Sequence, residues 1–418
     1  MIFATQIHPH DVRDEGAVAV ARNISELAAC PVVGAEISTL EERHPYPHGE
    51  LPHNPRRNVV VTHARHETPL EIPTDLGFRP VLSEEAISGF DYVAQISQAG
   101  QKAGLSVIPW IKALNIELEG DWQQACVVTA GGRVVRNWLC PSKPTTEQYV
   151  RSYVRYIVSR YSPRAVLVDR LRYPDWSGAQ VDPSSLFTCF CPDCKALMAS
   201  YGIDTSHVRA SLKRLGDSFI AGTDATTIAH DDQLRLWMKF RQDRITRLAQ
   251  IIQDEIGAMT TVWLNLWPPS FAPWMGQDYS SLGRVCHGAK HFPYHKLGGG
   301  ADLSGLVRRL AGMGVESPER VFRSVMDLLE LPYSLSLAEF EEHGLPVDYV
   351  QHETANAVRM FKATPIYTGV QIWDIPASEI EAATEAAASG GASGFFFYCY
   401  GWATLDALAE VGRIARRQ

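Results

Sequence analysis

Short apolar runs recur eight times along this chain, each separated from the next by longer amphipathic or polar stretches. The runs fall at 2–7, 32–37, 105–111, 165–168, 261–266, 285–292, 366–372 and 394–398. A strand buried on both faces reads as continuous apolar sequence, and strands that alternate with helical stretches form parallel βα units. Eight such units are what a closed (β/α)8 TIM barrel needs, so the expected fold class is α/β, a single decorated barrel over residues 1–418. The 418 residues exceed the barrel's usual core of about 250. The surplus is placed in long βα-loop insertions at about 38–80, 115–140 and 170–231. Each follows an expected strand and so sits over the C-terminal mouth, where barrel enzymes keep their active sites.

The helices follow a 3.6-residue period. Over 145–160, Tyr149, Tyr153 and Ile157 share one stripe, flanked by Val150, Val154 and Val158, and Thr145-x-x-Gln148 reads as a capping box at its start. A long helix over 232–256 aligns Ile245, Leu248, Ile252 and Ile256, and the Ala/Glu-rich stretch 378–388 reads as the last helix before the final strand.

A net charge of −8 without any basic tract argues against nucleic acid or an anionic membrane surface as partner. No apolar stretch is long enough to span a bilayer, and the first residues lack a secretory pattern, so a cytoplasmic protein is expected. A homo-oligomer stays open. No Walker loop, no G-x-G-x-x-G after a strand and no G-x-S-x-G elbow is found, so no organic cofactor is expected.

Three of the eight cysteines fall within six residues, as Cys189-Phe-Cys191-Pro-Asp-Cys194. Thiolates at this spacing grip one soft divalent cation, and zinc takes a fourth ligand. Cys140, at the end of one long loop and just before the helix at 145, is the best candidate. Four thiolates leave no open coordination position, which makes such a Zn2+ structural, a staple between two loops over the mouth.

Glycoside hydrolysis needs two carboxylates flanking the scissile bond. Asp11, Glu36, Asp169 and Asp374 follow expected strands one, two, four and seven. Asp169 ends the run Ala-Val-Leu-Val and is followed by Arg170 and Arg172, either of which can hold its charge. Asp374 ends Gln371-Ile-Trp-Asp, and Glu36 is the substitute for it. Aromatic and polar side chains near strand ends suit a sugar: Trp110, Trp267, Trp373, Tyr398 and Trp402 can cover a pyranose face. Arg172, Asn265 and Gln371, with His8, His10, His291, His295 and Lys296, can bond its hydroxyls or stabilise charge.

The segments WLCPSKPTTEQYVRSYVRYIVSRYS, VLVDRLRYP and CFCPDCKALMASYG resemble family-42 β-galactosidases, in which a Cys precedes a barrel helix, the acid/base follows the next strand and C-x-C-x2-C completes a zinc site. They resemble still more closely barrels described only as hypothetical glycosyl hydrolases, which carry an Asp after this strand and then CxCPxC. The resemblance covers roughly 138–202, with looser likeness in GQDYSSLGRVCHGAKHFPYHK and IYTGVQIWD. It implies a glycosidase with Asp169 as acid/base and Asp374 as nucleophile; in amylase-like barrels an Asp after strand four is instead the nucleophile. The β-galactosidases have Asn-Glu where this chain has Val168-Asp169, which leaves sugar specificity and mechanism open.

The leading expectation is a glycoside hydrolase with a carbohydrate partner. Two other readings stand beside it: a metal- or His/Lys-dependent barrel lyase or isomerase on a sugar, and a non-catalytic carbohydrate-binding barrel.

Overall fold

The computed structural model describes residues 1–38, 50–51, 54–58, 65–72, 74–175, 183–221, 223, 225–257, 260–296, 303–312 and 317–417. Eight parallel strands close into a barrel. They are β1 (Ile2–Ile7), β2 (Val32–Glu36), β3 (Ser106–Lys112), β4 (Ala165–Asp169), β5 (Thr261–Leu266), β6 (Gly288–His291), β7 (Ile366–Gln371) and β8 (Gly394–Tyr398). Each pairs with the next, and β8 returns to pair with β1, from Ile2↔Gly394 to Thr5↔Phe397. All five residues of β4 and of β8 are buried, as strands covered on both faces require. Gly394 stands where a Cβ would lie 2.3 Å from the Ile2 carbonyl oxygen, so the β1–β8 seam closes only over a residue without a side chain.

Alternation along the strands sorts side chains inward and outward. Near the floor, Trp263, Tyr367 and Phe396 pack ring against ring, with centroids 4.9 to 6.0 Å apart. Two residues further on, the same inward positions are Asn265 and Tyr398, which open to the mouth. The barrel interior is thus a packed core with a polar cap, not a pore.

Five of the surrounding helices matter below: α1 (Pro144–Tyr161), α2 (Pro192–Ser200), α3 (Asp232–Ile256), α4 (Asp348–Phe361) and α5 (Ala377–Ser389). On α1 the buried face is Thr146, Tyr149, Val150, Tyr153, Val154 and Ile157, the stripe that the period predicts. Its start corrects the expected capping box. Lys143 is the cap residue, makes no side-chain cap bond, and Pro144 opens the helix. Proline suits that first position because its missing N–H would have had no partner there. By contrast α3 has a side-chain cap, with Asp231 Oδ1 accepting from the Leu234 amide at 3.0 Å.

Parts of the expected insertions at 38–80 and 170–231 lie outside the described residues, and the described parts follow β2 and β4. Phe78–Pro80 of the first pairs antiparallel with Leu118–Gly120 of the second, and Cys126–Val128 pairs with Val134–Leu139 within the second. A fourth insertion, which the apolar pattern does not reveal, follows β6; it carries the helices Leu303–Ala311, Pro318–Leu328 and Leu337–His343. Among the described residues no helix is long and apolar enough to cross a membrane.

Candidate functional site

Asp169 is the last residue of β4 and is 3 % exposed. Its Oδ2 accepts from Trp110 Nε1 at 3.0 Å, and its Oδ1 from the Arg170 amide at 2.6 Å and from Arg172 Nη1 at 2.9 Å. Arg172 Nε also donates to Asp175 at 2.7 Å, and Arg170 Nη1 lies 3.2 Å from the same carboxylate. Burial alone would raise the pKa of Asp169. The charges of Arg172 and Arg170 and their hydrogen bonds overturn that and hold the carboxyl well below the usual range. Asp169 is therefore ionised across the working pH range.

Asp169 faces an opening at the mouth that is also lined by Trp110, Arg172, Asn265, Lys290, Phe292, Tyr294 and Tyr398. Tyr398 is its hub. The ring stacks on Tyr294 at 5.6 Å, meets Trp110 edge-on at 6.0 Å, and is backed by Trp373 and Trp402, each at 5.5 Å. Trp373 and Trp402 are each 1 % exposed. They pack against Tyr398 and are not among the residues that line the opening. Trp267 is likewise fully buried; Arg172 lies 5.7 Å over its ring, so it supports that guanidinium from below.

Glu36 ends β2 and is wholly buried against Lys112 Nζ at 3.2 Å and His8 Nε2 at 3.7 Å. The same His8 nitrogen lies 3.4 Å from the Tyr398 hydroxyl. His10 packs behind His8, with ring centroids 5.2 Å apart. Asp11 serves the local backbone instead. Its Oδ2 accepts from the His8 amide at 2.8 Å, which fixes the start of the short helix Pro9–Glu15.

The other expected residues are not brought to this group. Asp374 is exposed, with φ +51°, in the turn before α5, and it is not among the residues that line the opening. His291 points outward, where its Nε2 meets Thr368 at 3.1 Å and Thr354 of α4 at 3.3 Å. Burial pulls its pKa down to about 3, so it stays neutral. The inward residue of β6 is Lys290, one position earlier, and a parity of one decides which side chain reaches the mouth. His295 and Lys296 clasp Glu379 of α5 at 3.1 and 3.5 Å and anchor the loop after β6. Gln371 is buried with Nε2 bonded to the Trp373 carbonyl at 3.1 Å.

Five residues of the site escaped sequence reasoning: Lys290, Phe292, Tyr294, Lys112 and Asp175. Lys112 and Lys290 carry a signal, a charged residue inside or at the end of an otherwise apolar strand. Tyr294 and Asp175 carry none, since irregular loops place them.

Above α1, Cys140, Cys189, Cys191 and Cys194 converge. All four are buried, and their sulfur atoms lie within 4.8 Å of one another. Cys191 caps α2, and Cys140 Sγ sits 3.7 Å from Cys191 Sγ and 3.5 Å from Cys194 Sγ. Such a set can hold a metal ion, and it ties the second insertion to the third.

No family model matches the chain, and no curated protein matches it. Solved structures do. The chain is similar to the PgaB (BpsB) glycoside hydrolase domain from Bordetella bronchiseptica at 14 % identity, over 95 % of this chain and 94 % of that one, with a TM-score of 0.51. It is similar to a β-galactosidase from the psychrophilic Marinomonas ef1 at 11 % identity and a TM-score of 0.56, over 100 % of this chain but 59 % of that one. The catalytic domain of a β-amylase from Paenibacillus polymyxa matches at 10 % identity, over 97 % and 94 % of the two chains, with a TM-score of 0.50. These three solved structures are glycoside hydrolases with TIM-barrel folds, and at these identities what the chain shares with them is the (β/α)8 barrel.

Proposed function

We propose that the chain is a glycoside hydrolase, one decorated barrel with its cleft at the C-terminal mouth. The observation that carries this reading is Asp169: a buried, ionised carboxylate at the end of β4, facing an opening lined by Trp110, Phe292, Tyr294 and Tyr398. Aromatic faces shed water against the C–H face of a sugar, and an ionised carboxylate beside them can attack the anomeric carbon or activate water. Asp169 then fits the role of nucleophile or base better than that of acid. Glu36 is its proposed partner and Asp374 the reserve. His8 Nε2, between Glu36 and the Tyr398 hydroxyl, gives a proton a place to reside next to the opening. The test is a panel of aryl glycosides and oligosaccharides offered to the wild type, Asp169→Asn, Glu36→Gln and Asp374→Asn. Ordinary turnover by Asp169→Asn would end the assignment.

One observation favours a second reading. Asp169 is held by Arg172, Glu36 by Lys112, and Asp175 by both arginines, which is also how a non-catalytic carbohydrate-binding barrel would hold its mouth. In that case sugar binds, Asp169→Asn leaves binding nearly intact, and no glycoside is turned over.

For the cysteine cluster we propose structural Zn2+. A tetrahedron with Zn–S arms of about 2.3 Å has edges of about 3.8 Å. The two sulfur separations from Cys140, 3.7 and 3.5 Å, support that size. The ion would fix the insertions and take no part in the chemistry.

A further inference from the structure

The opening beside Asp169 is small, about 20 Å³, which is room for one water molecule and not for a sugar ring. Two of the side chains that line it, Asp169 and Asn265, come from adjacent strands. Val168 of β4 is the Cα partner of Leu264 of β5, and Asp169 and Asn265 are the residues that follow. Both bring unused acceptor capacity. An ionised carboxylate offers about four lone-pair sites. On Asp169, Oδ1 accepts from the Arg170 amide and from Arg172 Nη1, whereas Oδ2 accepts from Trp110 Nε1 alone, so one site remains on Oδ2. Asn265 is 4 % exposed, and its Oδ1 is buried with no hydrogen-bond partner among the described residues. Buried acceptors are rarely left without a donor, so this one calls for a hydrogen-bearing occupant of the opening.

We propose that this opening holds a single water molecule, which donates one hydrogen to Asn265 Oδ1 and the other to Asp169 Oδ2, and that Asp169 activates this water, so that the glycosidic bond is cleaved with inversion at the anomeric carbon. The proposal rests on the glycoside hydrolase reading above and names the mechanism of the same site. The count of hydrogens picks the occupant. Two acceptors around one small space need two hydrogens on one oxygen, which water has and a sugar hydroxyl lacks. With both hydrogens engaged, the lone pairs of the water are turned away from Asp169 and Asn265, toward a sugar lying outside the opening. A water in that place also stands between Oδ2 and the sugar, which takes Asp169 out of reach of direct attack. In the reaction the water oxygen bonds to the anomeric carbon as the bond to the leaving oxygen breaks. One water proton passes to Asp169 Oδ2, and the partner carboxyl proposed above gives the leaving oxygen its proton. A water bonding to an oxocarbenium-like carbon becomes strongly acidic, so a carboxylate kept ionised by two arginines still takes its proton. Asn265 moves no proton; it orients the water.

Two measurements on the full wild-type chain test it, and they fail separately. In a high-resolution crystal structure, one water should lie within about 3.2 Å of both Asn265 Oδ1 and Asp169 Oδ2. An opening without that water would overturn the proposal whatever the activity. Proton NMR of the first product released from an aryl glycoside that the enzyme hydrolyses should show the anomer opposite to that of the substrate. The retained anomer would overturn the proposal and leave the hydrolase reading standing. Asn265→Leu keeps the volume and removes the acceptor, so kcat should fall about tenfold or more while KM stays within about twofold of wild type. Wild-type kcat in a folded Asn265→Leu would also overturn it; should that variant misfold, the two wild-type measurements still decide. A water bridging the two residues, with no glycoside turned over, would support the water site and overturn its role together with the hydrolase reading.

Discussion

Trp110 Nε1 donates to Asp169 Oδ2 at 3.0 Å across the β3–β4 edge, while Arg172 and the Arg170 amide occupy Oδ1. The carboxylate is thereby held in one orientation, with each oxygen given a distinct set of donors. On the proposed reading, Asp169→Asn keeps the shape but loses the charge, and kcat should fall on the order of 10³-fold or more with the fold intact. Trp110→Phe removes a single donor to an ionised group and should cost about 1.5–3 kcal/mol in stability or in the barrier. Steady-state kinetics beside circular dichroism decides both.

The pH dependence follows from the same contacts. The folded-state pKa of Asp169 is depressed, so its stabilising contribution is present above its unfolded value of about 3.9 and is lost as pH falls through the lowered one. Asp169 should therefore leave no titration limb in activity above about pH 4. Arg172→Met removes the largest cause of the depression and leaves burial opposed by fewer charges, so the acidic limb should move upward. Arg172→Lys should displace it less. A pH–rate profile unchanged in Arg172→Met would show that Asp169 does not titrate in the reaction.

Metal analysis of protein never exposed to chelator should find one zinc per chain. Cys191→Ser should lower Tm while leaving the kinetics of the remaining folded fraction close to wild type, because all four positions around the ion are filled by sulfur. A content below about 0.2 equivalents per four-thiolate site would remove the zinc proposal.

Trp402 and Tyr398 can be separated by substitution. Trp402→Ala empties a fully packed position behind the Tyr398 ring and should cost about 3–5 kcal/mol of stability, read by thermal or denaturant unfolding. Tyr398→Phe keeps every ring contact and removes only the hydroxyl that meets His8, so it should fold normally and lose activity. Wild-type turnover in Tyr398→Phe would take the His8–Tyr398 pair out of the proposed proton path.

Much of the barrel was legible because burial writes itself into strand sequence. The spans 2–7, 261–266 and 394–398 coincide with β1, β5 and β8. The sixth run is too long, 285–292 against Gly288–His291, because Val285 and Cys286 extend the apolar pattern into a turn that only tertiary contacts end there. The cysteine cluster was legible from spacing, since metal-ligand geometry is local. The mouth was only half legible. Asp169 announces itself as a charge at the end of an apolar run, whereas choosing between His291 and Lys290 required a strand parity that flanking glycine and histidine do not reveal. Aromatic residues near strand ends were recognisable as a group, but whether each one lines the opening or buttresses it depends on loop paths with no sequence period.

Gly394→Ala should destabilise by about 3 kcal/mol, because the new methyl meets backbone atoms of Ile2 that cannot swing away. Thermal unfolding measures it, and an unchanged Tm would show that the β1–β8 edge yields more easily than its spacing implies.

That edge also sets the order of events when the chain is made. Thr5 donates its hydroxyl to the Phe397 carbonyl across 392 residues of sequence, so β1, once made, waits for all of that intervening chain before its partner exists. At synthesis rates of about 5–20 residues per second, that wait lasts on the order of 20–80 seconds. Throughout it the nascent barrel has two unpaired borders, β1 on one side and the newest strand on the other, each able to recruit a neighbouring chain. A cell making this protein must protect an open sheet until the final strand arrives, and refolding from denaturant should be slow and sensitive to concentration for the same reason.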